Sequence, residues 1–392
     1  MPLEFGVFDH IEPVPGLPLN QIYQLRLEQM ERLDSAGFYA YHLAEHHTPA
    51  VHSMAPSQNV FLAAAIQRTK RIRLGACIYV LPLHHPLRLI EEICMLDSLS
   101  DGRIEVGVGR GGVLEAHFWG QESDVESNFA RYLETLDILQ NGLSHEELTH
   151  DGEIYQFDHL PMRLRPLQQP FPPFWYMRNV ETAAIGGMNT IIVGGPGLDS
   201  FEANVKRYHE LWEEHQGVGA LTAQGTEPKI SLVNHLVLAE TDEEALAIAK
   251  PAWEHYVWNL GTPRRLEAES RGLTQFLAPS DRMRPQSAPD REARRDLYWS
   301  LEQLSEEQQR RRQTPGGLGG VANQGAGFGV IAGSPASVRE YLDEYLETGA
   351  NYFVCGFQWG DLTHEQAMQS IELFVAEIMP HYSTTSSPAP VG

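Results

Sequence analysis

The chain has 392 residues, 42% hydrophobic and 21% charged, close to globular averages, which excludes global disorder. Its 29 Lys and Arg against 52 Asp and Glu leave a formal charge of −23, which repels phosphate backbones and anionic lipid, so neither nucleic acid nor a membrane is an expected partner. No apolar run approaches the roughly 18 residues of a membrane span, the start MPLEFGVFDH is no secretory leader, and Cys77, Cys94 and Cys355 form no CxxC pair, so a reducing cytoplasm is expected.

Two periods alternate along the chain. Residues 3–8 read as a strand, and 19–36 as a helix stopped by Gly37. Residues 38–43 are a second strand and 58–69 an alanine-rich helix. The run RIRLGACIYVL at 71–81 is a strong third strand, followed by a helix over 86–99 with Pro86 in its first turn. A fourth strand at 103–109 and a helix at 128–141 lead into a hairpin that turns at Asp151-Gly152. Alternation then resumes: strand 174–177, helix 180–187, strand 189–193, helix 198–215, strand 229–240, helix 241–258. A helix from Pro335 to Thr348, a strand at 351–356 and a helix over 363–379 stopped by Pro380 complete the chain. Eight strands, each followed by a helix, predict an α/β fold of the (β/α)₈ TIM-barrel type, a single domain over residues 1–380.

Residues 262–327 break the pattern, first arginine-rich and then glycine-rich. An insertion of that length before the last strand is expected to be a lid over the barrel mouth. The small, polar residues 381–392 are expected to form a disordered tail.

Chemistry in a barrel gathers at the C-terminal ends of the strands. Strand two ends in Ala44-Glu45-His46-His47, and a histidine there can donate a hydrogen bond or move a proton near neutral pH. The alternatives are a polar strand end facing solvent and, more weakly, a metal bound by His42, His46, His47 and His52. Neighbouring strand residues face opposite ways, so no metal is expected. Gly107-Val108-Gly109-Arg110-Gly111-Gly112 matches a dinucleotide fingerprint only weakly and reads better as an anion site, with Arg110 as a fork of donors. A tight loop with a solvated arginine is the plainer alternative. In Met177-Arg178-Asn179-Val180-Glu181-Thr182, Asn179 is a good N-cap, and a helix start with a hydroxyl suits a phosphate as well as simple capping. His85, between Pro82 and Pro86, is a candidate for the rim.

Together AEHH at 44–47, residues 74–111, YMRNVETAA at 176–184 and VCGF with the closing helix at 354–379 resemble the bacterial luciferase-like, flavin-dependent monooxygenase family. The resemblance implies a barrel that binds FMN at its C-terminal rim. Arg110, Asn179 and Thr182 would hold the phosphate, and His46 would stand beside the flavin. The Cys77-Ile78 peptide, strained or cis, would pack on the ring. Glu45, Gly111, Met177 and Arg178 flank these positions as further cofactor contacts. The sequence departs from luciferase at Gly109, where luciferase has a reactive cysteine, and at Gly194-Gly195, where it has aromatic bulk. The implied activity is two-component: a separate NAD(P)H:flavin reductase delivers reduced FMN. Oxygen adds at flavin C4a, and a small or medium organic substrate is oxygenated by a homodimer. A deazaflavin-dependent oxidoreductase of the same fold and a non-catalytic flavin-binding protein are the alternatives.

Overall fold

In the computed structural model, which describes residues 3–121, 123–193, 197–215, 221, 224–278 and 329–382, parallel strands wrap into a ring. β1 (Glu4–Asp9), α1 (Leu19–Ala36), β2 (Ala40–Leu43), α2 (Gln58–Arg68), β3 (Arg73–Val80), α3 (Pro86–Ser100) and β4 (Ile104–Gly109) form the first half. A six-residue helix, α4 (Val113–Phe118), and the long α5 (Val125–Ser144) follow, then the antiparallel hairpin of β5 (Glu147–Asp151) and β6 (Gln156–Pro161). β7 (Phe174–Tyr176), α6 (Val180–Ile185), β8 (Thr190–Ile192), α7 (Leu198–Glu214) and β9 (Ile230–Leu238) continue the alternation. After α8 (Asp242–Ser270) come β10 (Gly329–Gly333), α9 (Pro335–Glu347), β11 (Tyr352–Gly356), α10 (His364–Glu377) and the short α11 (Met379–Tyr382).

Eight of the strands close the barrel in the order β1, β2, β3, β4, β7, β8, β9, β11 and back to β1. β8 is three residues long, and β9 has nine. β9 therefore pairs with β8 only through Leu232, and its outer half, Asn234–Leu238, pairs with β10. Side chains alternate between two apolar layers. Phe8, Ala44, Cys77, Trp175, Val233 and Val354 fill the barrel interior, whereas Tyr41, Leu43, Leu74, Val106 and Phe353 face the helices.

The expected strands and helices are present, with three differences. α8 does not stop near Trp258. It runs through Gly261, Thr262 and Pro263 to Ser270, because Thr262, Arg265 and Ala268 are buried and Ala268 packs with Leu114 and Leu277. Tertiary packing outweighs the cost of glycine and proline there. The segment expected to begin a lid at 262 thus starts inside a helix, and its stretch 279–327 lies outside the described residues. β10, directly after the glycine-rich stretch, was not foreseen. At the C-terminus α10 ends at Glu377, and Pro380 sits within α11. Tyr382 is tied down, its hydroxyl donating to Arg339 O and Asp343 Oδ1 and its carbonyl accepting from Leu3 N–H. The fold therefore extends past 380; residues 383–392 lie outside the described residues.

Candidate active site

Alternation along β2 and the turn after it sorts three neighbouring histidines into three environments. His42 points into the barrel, its Nε2 2.9 Å from Tyr352 Oη and its ring against Trp175. Burial pushes its pKa down to about 4, only partly opposed by Glu105, so it is a neutral core residue. Beyond the strand, Glu45 is buried with His47 Nε2 at 2.7 Å and His84 Nε2 at 2.9 Å. Burial alone would raise the Glu45 carboxyl, but the two imidazoles outweigh it and hold it below the usual range. His84 responds in kind: desolvation lowers it, Glu45 raises it further, and the net shift is upward. His85 instead is exposed and packs beside Tyr155, so His84 is the member of that pair that reaches the rim network.

His46 faces away from this pair. Its Nδ1 lies 3.7 Å from Glu115 Oε1, and its ring stands 4.2 Å from His52 and 5.4 Å from His10 between centroids. Glu115 comes from α4, directly after the glycine loop, and also accepts from the His47 and Gly112 backbone N–H groups. Burial would raise its carboxyl, yet His46, Arg264 and the His47 N–H together hold it at about 2. His46 is 26% exposed, whereas Glu115, His10 and His52 are buried. An imidazole with one nitrogen facing a fixed carboxylate presents its other nitrogen for proton work.

The neighbouring strands build a floor. The Cys77–Ile78 peptide is cis. The Cys77 thiol lies in the barrel interior, where burial and then Glu105 push its pKa up, so it is no thiolate nucleophile. Ile78 is half-buried and leans over Gly109, where an added Cβ would collide with its Cδ1. Gly107 is under harder constraint: a Cβ there would come within 2.5 Å of the Ala76 carbonyl oxygen. Gly111 has φ +69°, a conformation that favours glycine.

Arg110 follows β4, and Met177, half-buried, and Arg178, exposed, follow the adjacent β7. Desolvation and then Arg178 depress the Arg110 guanidinium, so two like charges face one another. Neither makes an ion pair among the described residues, and Arg110 has only a 3.5 Å contact to Val125 O. Such a pair seeks an anion. Asn179 caps α6, its Oδ1 accepting from Thr182 N–H at 2.8 Å, and both side chains are exposed beside the arginines. These donors suit a phosphate group.

The structure thus separates His46 from Glu45 and sets Arg110 near Arg178, which leads directly into the start of α6 with Asn179 and Thr182. Sequence reasoning missed His10 and Glu115, and it singled out His52 only in the weaker metal alternative with His42, His46 and His47. His10 was findable from its place just past β1, and Glu115 as the glutamate at the third position of a helix that starts after Gly112.

A family model described as luciferase-like monooxygenase matches residues 3–352. An uncharacterized protein, y4wF, of Sinorhizobium fredii is 31% identical over 96% of both chains. The oxygenase component of a flavin-dependent trigonelline monooxygenase from Acinetobacter baylyi is 28% identical, over 63% of this chain and 68% of its own. The oxygenating constituent of 3,6-diketocamphane monooxygenase from Pseudomonas putida, solved with FMN, shares the fold at a TM-score of 0.67 and 19% identity, over 97% and 99% of the two chains.

Proposed function

From the premise that the chain belongs to the luciferase-like monooxygenase family and is a flavin-dependent monooxygenase, we propose that it is the oxygenase half of a two-component system. In this reading a separate NAD(P)H:flavin reductase supplies reduced FMN, and a small or medium organic substrate is oxygenated. Names among its relatives support the division of labour: one is an oxygenase component, another an oxygenating constituent solved with FMN. The observation that carries the cofactor assignment is the Arg110–Arg178 pair, two cations at the C-terminal ends of adjacent strands with no counter-anion among the described residues.

Bound reduced FMN supplies the electrons that activate O₂. The chain's own residues do the rest. Arg110 and Arg178 would hold the phosphate at the start of α6, where Asn179 caps the helix and Thr182 lies in the first turn. Gly111 lets the backbone approach. Ile78 and Met177 offer half-buried apolar contact to the flavin ring. His46 keeps Nδ1 toward Glu115 and uses Nε2 to hold or give a proton where oxygen is transferred. Glu45 stands behind this group, its carboxylate engaged with His47 and His84. The three cysteines are free thiols, in keeping with a cytoplasmic setting. Val125, Phe129 and Leu133 leave an exposed apolar stripe along one face of α5, which supports assembly as a homodimer.

Substitution tests the assignment. Arg110→Ala removes a charged donor worth about 1.5–3 kcal/mol, so FMN affinity should fall by about one to two decades while riboflavin affinity barely changes. Equal losses for both flavins would dissociate Arg110 from the phosphate. Turnover with reduced FMN but not with a reduced deazaflavin would separate oxygenation from hydride transfer.

A further inference from the structure

Three imidazoles from two loops converge at the barrel mouth. His10 follows β1, and His46 and His52 lie on the connection between β2 and α2. Their candidate ligand nitrogens all fall within 4.8 Å of one another, and the His10 and His52 rings are 5.2 Å apart. We propose that His10, His46 and His52 form a binding site for one divalent transition-metal cation of the imidazole-preferring class, such as Zn²⁺ or Co²⁺. The site does not require flavin, and a bound cation would occupy the His46 nitrogen assigned above to proton transfer, so the metal-bound form would not oxygenate.

The donor set fits that class. Zinc and cobalt accept three histidine nitrogens and keep a fourth position open, whereas Mg²⁺ and Ca²⁺ require oxygen donors. A metal needs neutral imidazoles. The local charge also favours a cation. The Glu115 carboxylate lies 3.7 Å from His46 Nδ1, and it would disfavour an anion bound among the same rings. Coordination requires the nitrogens to close up by as much as roughly 1.5 Å, given tetrahedral metal–nitrogen bonds of about 2 Å. His46 and His52 belong to an irregular connection, which can make that adjustment more readily than a strand. His46 is partly exposed and gives the ion a way in.

The test uses the full chain, free of flavin, titrated with Co²⁺ and followed by visible ligand-field absorption. One equivalent should bind per chain, Zn²⁺ should displace it, and excess Mg²⁺ should not. His10→Ala and His52→Ala should each weaken Co²⁺ binding at least tenfold, since losing even an outer-sphere partner costs about 10–100-fold. His117→Ala, a histidine outside the cluster, should bind as the parent does. Circular dichroism and FMN affinity report whether each variant is folded. If His10→Ala fails to fold, His46→Ala takes its place, because its side chain is partly exposed. Absence of stoichiometric binding, or binding unchanged in the folded variants, would overturn the proposal.

Discussion

The two ends of the barrel handle buried polarity in opposite ways. At the N-terminal end Glu105 is fully buried and accepts from Tyr39 Oη at 2.7 Å, Arg73 Nε at 2.6 Å and Trp175 Nε1 at 2.6 Å. Lys229 lies over the Tyr39 ring and pairs with Glu4. Burial would raise the Glu105 carboxyl, but Arg73, then His42 and the Tyr39 hydroxyl, pull it below the usual range. At the C-terminal end His10, His46 and His52 meet through ring contacts, with one carboxylate at the margin. The lower network uses its charges to hold strands together. The upper cluster keeps its imidazoles available for chemistry, and stability and reactivity are thereby assigned to different ends of the same strands.

Substitutions at each end should therefore fail in different ways. The largest effect is expected at the top. His46→Ala should bind reduced FMN nearly as the parent does, since the phosphate donors lie on other loops, yet lose about 10²–10⁴-fold in oxygenated product and release hydrogen peroxide instead. His47→Ala should do less. Normal product yield from the His46 variant would break the comparison at its upper end.

Next comes the bottom. Glu105→Ala leaves Arg73 without its buried partner and should cost about 3–5 kcal/mol in chemical denaturation, while the surviving folded fraction keeps its FMN affinity. A loss under 1 kcal/mol would show that the lower network is not what secures the strands.

The third effect concerns pH. Glu12, buried just past β1, has its carboxyl raised to about 8, chiefly by burial and also by Asp9, with Gly360 and Asn259 opposing. The folded state therefore holds a proton that the unfolded chain releases near 4.5. Stability from this group is complete below about 4.5 and drains away as pH rises through about 8. Thermal midpoints of Glu12→Gln should decline less between those values than those of the parent, and parallel curves would refute the assignment.

How much of this could be read from the chain alone depends on how local the cause is. β3 and α3 were legible because an apolar run and a proline at the first turn act within a few residues. β10 was not, because a five-residue strand after a glycine-rich stretch earns its place by covering the outer half of β9. The end of α8 was hidden for the same reason, since burial of Ala268 against Leu114 overrides a Gly-Thr-Pro stop signal. His46 announced itself by ending a strand. Its companions were less legible: His10 is 36 positions away, His52, 6 positions on, stood out only in the metal alternative, and Glu115 approaches from another βα unit. Only closure of the ring brings them together.

The division of β9 between two partners has a consequence for how such a protein diversifies. Its inner half closes the ring with β8, and its outer half is paired with β10, which is a parallel addition rather than a member of the ring. The two elements that flank the next connection, α8 and β10, both lie outside the closing ladder. The length and content of this connection can be exchanged without moving a single register inside the ring. That connection can thus vary while the strand pairings of the ring are inherited unchanged.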